Sequence, residues 1–286
     1  MMDDAFKLAM PADRRSCAVF SSPHSGREYP VQLIRRSRLS LPQLRSSEDA
    51  FVDELFAAAP DAGAPLLAAR APRAWVDLNR GPEDLDPALI AGAGRVGQNP
   101  RIAAGLGVIP RVVGEGRAII DGKLSLAEAE SRILTVWRPY HARLTELIEE
   151  SRAAFGMAVL FDCHSMPRDA LNATPSAWGR RPNVILGDRF GAACDRWLID
   201  LAADVFGEAG FLVARNTPFA GGYITQTYGR PRRGVQALQI EIDRSLYMDE
   251  ARVERGSAFA AVAARLTEVT RRLAAIAPRA LPMAAE

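Results

Sequence analysis

The sequence predicts an α/β protein, a single domain of three layers (α/β/α) around a mixed sheet. Two observations carry this. Short apolar runs alternate along the chain with amphipathic helical patterns, and no repeat, low-complexity segment or linker divides the 286 residues. The single domain spans 1–286, with its core over about 15–275. A composition of 48% hydrophobic and 24% charged residues supplies a core. A net charge of +2, from 36 basic and 34 acidic residues without long blocks of one sign, gives no reason to expect nucleic acid or a membrane surface as partner. The N-terminus lacks the basic start and apolar run of a signal peptide, and no run approaches the roughly 18 apolar residues of a membrane span. Three cysteines without close spacing do not make a disulfide framework. The expectation is a soluble, cytoplasmic protein.

The elements follow in order. Val19–Ser22 reads as a buried strand that ends at Pro23-His24-Ser25-Gly26. Residues 29–47 read as a loop with at most a helical turn. Ser46 or Ser47 then caps an amphipathic helix over 48–56, with acids first and apolar residues at 51, 52, 55 and 56. Residues 64–69 and 74–78, separated by Pro72, read as adjacent strands. From 79 to about 117 glycine and proline are dense, which predicts a long irregular connection. Ser125-Leu126-Ala127-Glu128 is a capping box that opens a helix to about 154, kinked or broken at Pro139 and closed by Gly156. Residues 157–161 form a strand buried on both faces. Strands over 184–186, 211–214 and 236–242 and helices over 192–206 and 258–276 complete the chain.

Four segments at or beyond predicted strand ends concentrate the chemistry: His24-Ser25-Gly26, Asp77-Leu78-Asn79-Arg80, Asp162-Cys163-His164-Ser165 and Gln239-Ile240-Glu241-Ile242. A carboxylate inside an apolar strand is costly unless paired, hydrogen-bonded or metal-bound, and Asp162 and Glu241 are the two clearest cases. A hydrolytic zinc site commonly takes two histidines and one carboxylate, leaves a position for water and places a further carboxylate nearby as general base. The chain has three histidines, and two of them, His24 and His164, stand in these segments. Each alone reads more simply as a hydrogen-bonded structural residue. His141, inside a helix, is read that way.

Taken together, Pro23-His24-Ser25-Gly26-Arg27, Glu48-Asp49-Ala50-Phe51-Val52-Asp53-Glu54-Leu55, Asp77-Leu78-Asn79-Arg80, Asp162-Cys163-His164-Ser165-Met166-Pro167 and Gly221-Gly222-Tyr223 resemble the N-formylglutamate amidohydrolase family, within the zinc carboxypeptidase and aspartoacylase superfamily. The resemblance implies a zinc-carboxypeptidase-like fold and one zinc per chain, or another divalent ion in its place. It implies His24 and His164 as metal ligands, Glu241 as the catalytic base and Asn79 and Arg80 on a substrate carboxylate. Asp77 is implied as the acid behind a ligand imidazole; Asp162 is the second such acid. Tyr223 matches a mobile substrate-contacting tyrosine, and Arg111 is a candidate for the oxyanion or a second carboxylate. The implied reaction is cleavage of N-formyl-L-glutamate to formate and glutamate, a step of histidine breakdown, with an acidic N-acyl amino acid as the small-molecule partner.

One position departs from the carboxypeptidase pattern: its carboxylate ligand follows the first histidine by three residues, and Arg27 stands there. Asp49 is the choice for third ligand, with Glu48, Asp53 and Glu28 as alternatives; acids at a helix start are also explained by the helix dipole. Gly92-Ala93-Gly94-Arg95-Val96-Gly97 matches a dinucleotide-binding pattern but follows no strand and opens no helix, so it is read as a loop. Cys163 is expected to face away from His164 as a small buried hydrophobe. Arg35-Arg36 and Arg232-Arg233 are read as solvated surface. A related N-acyl-amino-acid deacylase or carboxypeptidase-like hydrolase and, outside enzymes, a metal-free binding protein for an acidic amino acid are the competing readings.

Overall fold

A computed structural model describes residues 5–94, 99–172 and 181–277. Seven strands build the main sheet: β1 Phe6–Ala9, β2 Ala18–Ser22, β3 Leu66–Ala69, β4 Ala158–Met166, β5 Val184–Gly187, β6 Val213–Arg215 and β7 Val235–Asp243. They lie in the order β1-β3-β2-β4-β7-β5-β6. Neighbours among β3, β2, β4 and β7 pair in parallel, whereas β1 and β5 run antiparallel to β3 and β7, so the sheet is mixed as expected.

Alternation assigns the side chains of the two long central strands to opposite faces. Phe161 and Cys163 of β4 and Leu238, Ile240 and Ile242 of β7 enter one core with the helices Val52–Leu55, Arg196–Glu208 and Phe259–Ala274. Cys163 therefore faces as expected. Phe20 stacks at 5.1 Å from Phe161 and 6.0 Å from Phe56, and burying each such ring is worth about 1.5–3 kcal/mol. Leu160 of β4, Val235 and Ala237 of β7 and Val19 of β2 enter the second core, under the helices Leu126–Arg132, Arg138–Phe155 and Tyr223–Tyr228. Helices on both faces give the three layers.

Several expected elements take another form. Residues 74–78 are not a strand: Pro72 turns the chain, the Trp75 N–H donates to the Pro72 carbonyl, and Asp77 N–H finds Val108 O at 2.8 Å. The predicted helix over 48–56 shrinks to Val52–Leu55, because Phe51 takes a left-handed conformation (φ 66°) and breaks the turn that would start at Ser46 or Ser47. Asp49 consequently lies in a turn. The loop over 29–47 holds two short helices, Val31–Arg36 and Leu41–Arg45. Ser125 caps its helix, accepting from the Glu128 N–H, but the chain does not break at Pro139. It widens into a π turn over Ile133–Trp137, where the Arg138 N–H reaches Ile133 O. The helix expected from 192 starts at Arg196, and β1 was not expected. Of the dinucleotide-like stretch, residues 95–97 lie outside the described residues.

Candidate active site

Halfway along β4 and β7 the second face changes character. Beyond Leu160 it carries Asp162 and His164, and beyond Ala237 it carries Gln239 and Glu241. The register sets Asp162 beside Gln239 and His164 beside Glu241. His24 follows the end of β2, and Asp77 lies in the turn beyond β3. The turn holding Asp49 is pinned to the same place by its backbone N–H, which donates to the His24 carbonyl at 3.0 Å. Seven polar side chains thus meet at the carboxyl ends of parallel strands, the usual site of chemistry in open α/β sheets.

The geometry within the group is specific. Asp49 Oδ2 lies 2.9 Å from His164 Nδ1 and 3.4 Å from His24 Nδ1. Ligand atoms of His24, Asp49 and His164 all fall within 4.8 Å of one another, and all three residues are buried. Each imidazole turns its other nitrogen to a second carboxylate: His24 Nε2 to Asp77 Oδ1 at 2.7 Å, and His164 Nε2 to Asp162 Oδ2 at 3.0 Å. Asp49 is itself oriented, its Oδ1 accepting from Arg244 Nη2 at 2.8 Å, and Arg73 Nε donates to Asp77 Oδ2 at 3.0 Å. His24 Nδ1 is buried without a hydrogen-bond partner. An orphaned imidazole nitrogen beside a carboxylate, backed by a His–Asp pair on each side, fits a divalent cation.

The electrostatics point the same way. Burial opposes charge on His164, yet Asp162, and hydrogen bonds to Asp162 and Asp49, hold its pKa well above the ordinary value. Burial would raise Asp49, but hydrogen bonds and charge from His164 and His24 hold it well below the usual carboxylate range. Asp77, also raised by burial, is held well below by Arg73, Arg80 and His24. The Asp49 and Asp77 carboxylates are thus held ionised. Glu241 differs: burial pushes it up to about 7, with Asp49 adding to the rise and His164, Arg73 and Arg244 opposing it. Its Oε1 accepts from Gln239 Nε2 at 2.8 Å, and Gln239 Oε1 in turn accepts the Gly222 N–H at 2.8 Å.

The site opens into a cavity of about 580 Å³, lined by His24, Asp49, Asp77, Asn79, Arg80, His164 and Glu241 among others. Asn79 is closely held. Its Nδ2 lies 3.1 Å from His164 Nε2, its Oδ1 accepts the Ile224 N–H at 2.8 Å, and a Cβ on Gly222 would fall 2.4 Å from its amide. Its Oδ1 is thus engaged within the protein, and its Nδ2 reaches Asp162 Oδ2 at 3.4 Å. Arg80 donates to Leu106 O and Asn79 O, leaving Nη2 without a bond among the described residues.

Two expected residues stand apart. Arg111 donates to Asp86 at 2.8 Å and to Ala103 O and is absent from the cavity wall, because the buried Asp86 needs its charge. Tyr223 opens a helix rather than a loop, and its ring packs on Trp137 and His141 away from the cavity. The alternatives to Asp49 are engaged elsewhere: Glu48 with Arg45 and Tyr29, Asp53 with Arg27, and Glu28 with Arg70. His141 is structural, bonded to Leu78 O and Tyr228, and burial lowers its pKa to about 4. The sequence reading missed Arg73, Arg101, Arg189 and Arg244, all on the cavity wall, and Gln239. Gln239 carried a signal, since it alternates with Glu241 on one strand face.

A two-sided α/β sheet that gathers two imidazoles, a carboxylate and a buried glutamate at its parallel strand ends defines the class: an α/β protein with a buried His–Asp–His group that could hold a metal ion. The N-formylglutamate amidohydrolase family model matches residues 16–248, and the chain belongs to that family. It is 32% identical, over 81% of its length and 82% of theirs, to the N-formylglutamate deformylases of Pseudomonas putida and Pseudomonas aeruginosa. It is also similar to the crystal structure of N-formylglutamate amidohydrolase from Ralstonia eutropha JMP134, at 38% identity and a TM-score of 0.87, over 94% of this chain and 97% of that one. A structure from Agrobacterium tumefaciens, 22% identical over 94% of each chain with a TM-score of 0.61, shares the fold.

Proposed function

We propose that this chain hydrolyses N-formyl-L-glutamate to formate and L-glutamate, using a divalent ion, foremost zinc, held by His24, Asp49 and His164. The observation that carries the reading is the convergence of both imidazole Nδ1 atoms on Asp49 Oδ2, with Glu241 beside them. Family membership supports the substrate.

When bound, the ion supplies Lewis acidity toward a carbonyl oxygen and a water. Asp77 and Asp162 accept the outer N–H of His24 and His164, fixing the tautomer that would leave each Nδ1 lone pair available to such an ion. Arg244 holds Asp49 Oδ1, so that Oδ2 is the oxygen presented. Glu241 is held at Oε1 by Gln239 and works through its other oxygen. It accepts a proton from the attacking water as a new C–O bond forms at the formyl carbon, and returns it to the amide nitrogen as the C–N bond breaks. A pKa near 7 suits a group that must both take and give that proton. Arg80 Nη2 binds the substrate carboxylate nearest the scissile amide. The single domain, the cytoplasmic location and the role in histidine breakdown belong to the same proposal.

Glu241→Gln tests it: metal content should be unchanged while turnover of N-formylglutamate falls at least roughly 100-fold. Near-normal turnover removes Glu241 from the mechanism. A purified chain that holds no metal and takes up none removes the hydrolase reading, and preference for a dipeptide substrate replaces it with a peptidase.

A further inference from the structure

The cavity wall carries more positive charge than its own acids use. Five guanidiniums face three carboxylates on that wall. Arg73 and Arg244 are spent on Asp77 and Asp49. Arg189 has no hydrogen bond or ion pair from its side chain among the described residues, although it is only partly exposed.

The backbone around Arg189 is costly for its sequence. Arg189 (φ 56°), Phe190 (φ 57°) and Gly191 (φ 85°) form a consecutive left-handed run, which non-glycine residues rarely adopt. It is held from outside. Asn216 Oδ1 accepts from the N–H groups of Asp188 and Phe190, its Nδ2 donates to Asp188 at 2.7 Å, and the Arg189 N–H donates to Ala220 O at 2.7 Å. The stem of Arg189 lies against Gly221. A Cβ there would come within 2.9 Å of Arg189 Cγ and 2.5 Å of Thr225 Oγ1, and the φ of 128° independently favours glycine. A strained turn and a missing side chain together seat an unpaired, partly buried guanidinium on the cavity wall, whereas Arg101, the other wall guanidinium without a side-chain bond among the described residues, is exposed.

From this geometry we infer that Arg189 is the specificity-determining residue for the substrate's side-chain carboxylate. The inference rests on the proposed reaction and adds the second carboxylate site, which Arg111 does not supply. The α-carboxylate and the scissile nitrogen share one carbon, so the α-carboxylate belongs with the nearest guanidinium that is not already hydrogen-bonded to a cluster acid. That is Arg80, with Nε 3.8 Å from the Asp77 carboxylate that backs His24. The side-chain carboxylate, two methylenes farther out, requires a cation outside the cluster. Arg189 makes no ion pair with any cluster carboxylate, and its fork is free for bidentate binding.

Replacing Arg189 tests the assignment on substrates with and without that carboxylate. In Arg189→Met, kcat/KM for N-formylglutamate should fall about 10- to 100-fold, mainly through KM. For N-formylglutamine, which lacks the side-chain carboxylate, it should not change, and that substrate also reports an intact fold. Arg189→Lys should recover part of the loss. A proportional fall on both substrates, or on neither, overturns the inference. The underlying reaction fails separately, if the unaltered chain does not turn over N-formylglutamate. The inference then still faces calorimetry: the full chain should bind L-glutamate more tightly than L-glutamine, and Arg189→Met should abolish the difference. Discrimination that survives the substitution overturns it.

Discussion

Gln239 sets how readily Glu241 holds a proton, and removing it should move the pH dependence of the reaction by a calculable amount. The Gln239 amide donates to Glu241 Oε1 at 2.8 Å and is locked in that orientation by the Gly222 N–H on its other end. A hydrogen bond to a charged group contributes about 1.5–3 kcal/mol, and one pKa unit corresponds to about 1.36 kcal/mol. Gln239→Leu therefore raises the pKa of Glu241 by about 1–2 units from about 7, because the bond it loses favours the ionised form. The base works ionised, so the acidic limb of kcat/KM should shift to higher pH by that amount. Activity at pH 7 falls severalfold or more and returns in alkaline solution. A bound cation lowers the limb in both proteins and leaves the difference. The assay is kcat/KM for N-formylglutamate between pH 5 and 10 in the two proteins. A limb that stays in place while the rate drops equally at every pH would refute the reasoning, since Gln239 would then act on something other than the proton of Glu241.

Three further outcomes follow from the same geometry. Asp49→Ala should weaken metal retention and leave Arg244 with a buried unpaired charge, so chelator titration should release the ion more easily and Tm should fall; unchanged metal affinity would exclude Asp49 as a ligand. Asp162→Asn should cost about 10- to 100-fold in metal affinity, read by competition with a chromogenic chelator, because His164 loses its charged backing; equal affinity would make the pair merely structural. His141 titrates at about 4 in the fold against 6.5 in the unfolded chain, so the unfolded state gains protons first as the solution is acidified, and stability is lost as pH falls from 6.5 toward 4. Urea unfolding at pH 7 and 4.5 should show a loss larger by roughly 2–3 kcal/mol than in His141→Gln, and equal losses would contradict it.

Much of this was legible in the chain because it is local. The apolar runs of β2, β4, β5 and β7 announce themselves, and a carboxylate inside such a run, as at Asp162 and Glu241, is an anomaly visible without coordinates. What the chain hides is contact between distant segments. Asp49 reaches the site through a backbone bond to His24, Arg244 through its carboxylate, and neither leaves a periodic trace. β1 is four residues with an alternating pattern and is defined only by pairing with β3. The run at 74–78 has strand composition, but a proline turn and a bond to Val108 take its backbone elsewhere, and that turn is what places Asp77 behind His24. Arg111 and Arg189 are indistinguishable as letters; what separates them is that Arg111 pairs with the buried Asp86, whereas Arg189 forms no ion pair among the described residues.

The position of the site follows from how the second sheet face is covered. Over Val19, Leu160 and Ala237 the helix Arg138–Phe155 supplies apolar partners, and the face is apolar. Beyond these residues the same face opens on the cavity, and its next positions are Asp162 and His164 on β4 and Gln239 and Glu241 on β7. Buried polar groups there cost several kcal/mol each unless paired, and they are paired in chains: Asp77 with His24, Asp162 with His164, Arg244 with Asp49, and Gln239 with Glu241. Among the described residues the pairings leave over His24 Nδ1, Asp162 Oδ1, the second oxygen of Glu241 and the guanidinium of Arg189. In the proposed reaction His24 Nδ1 is a metal donor, Glu241 the base and Arg189 an anion site.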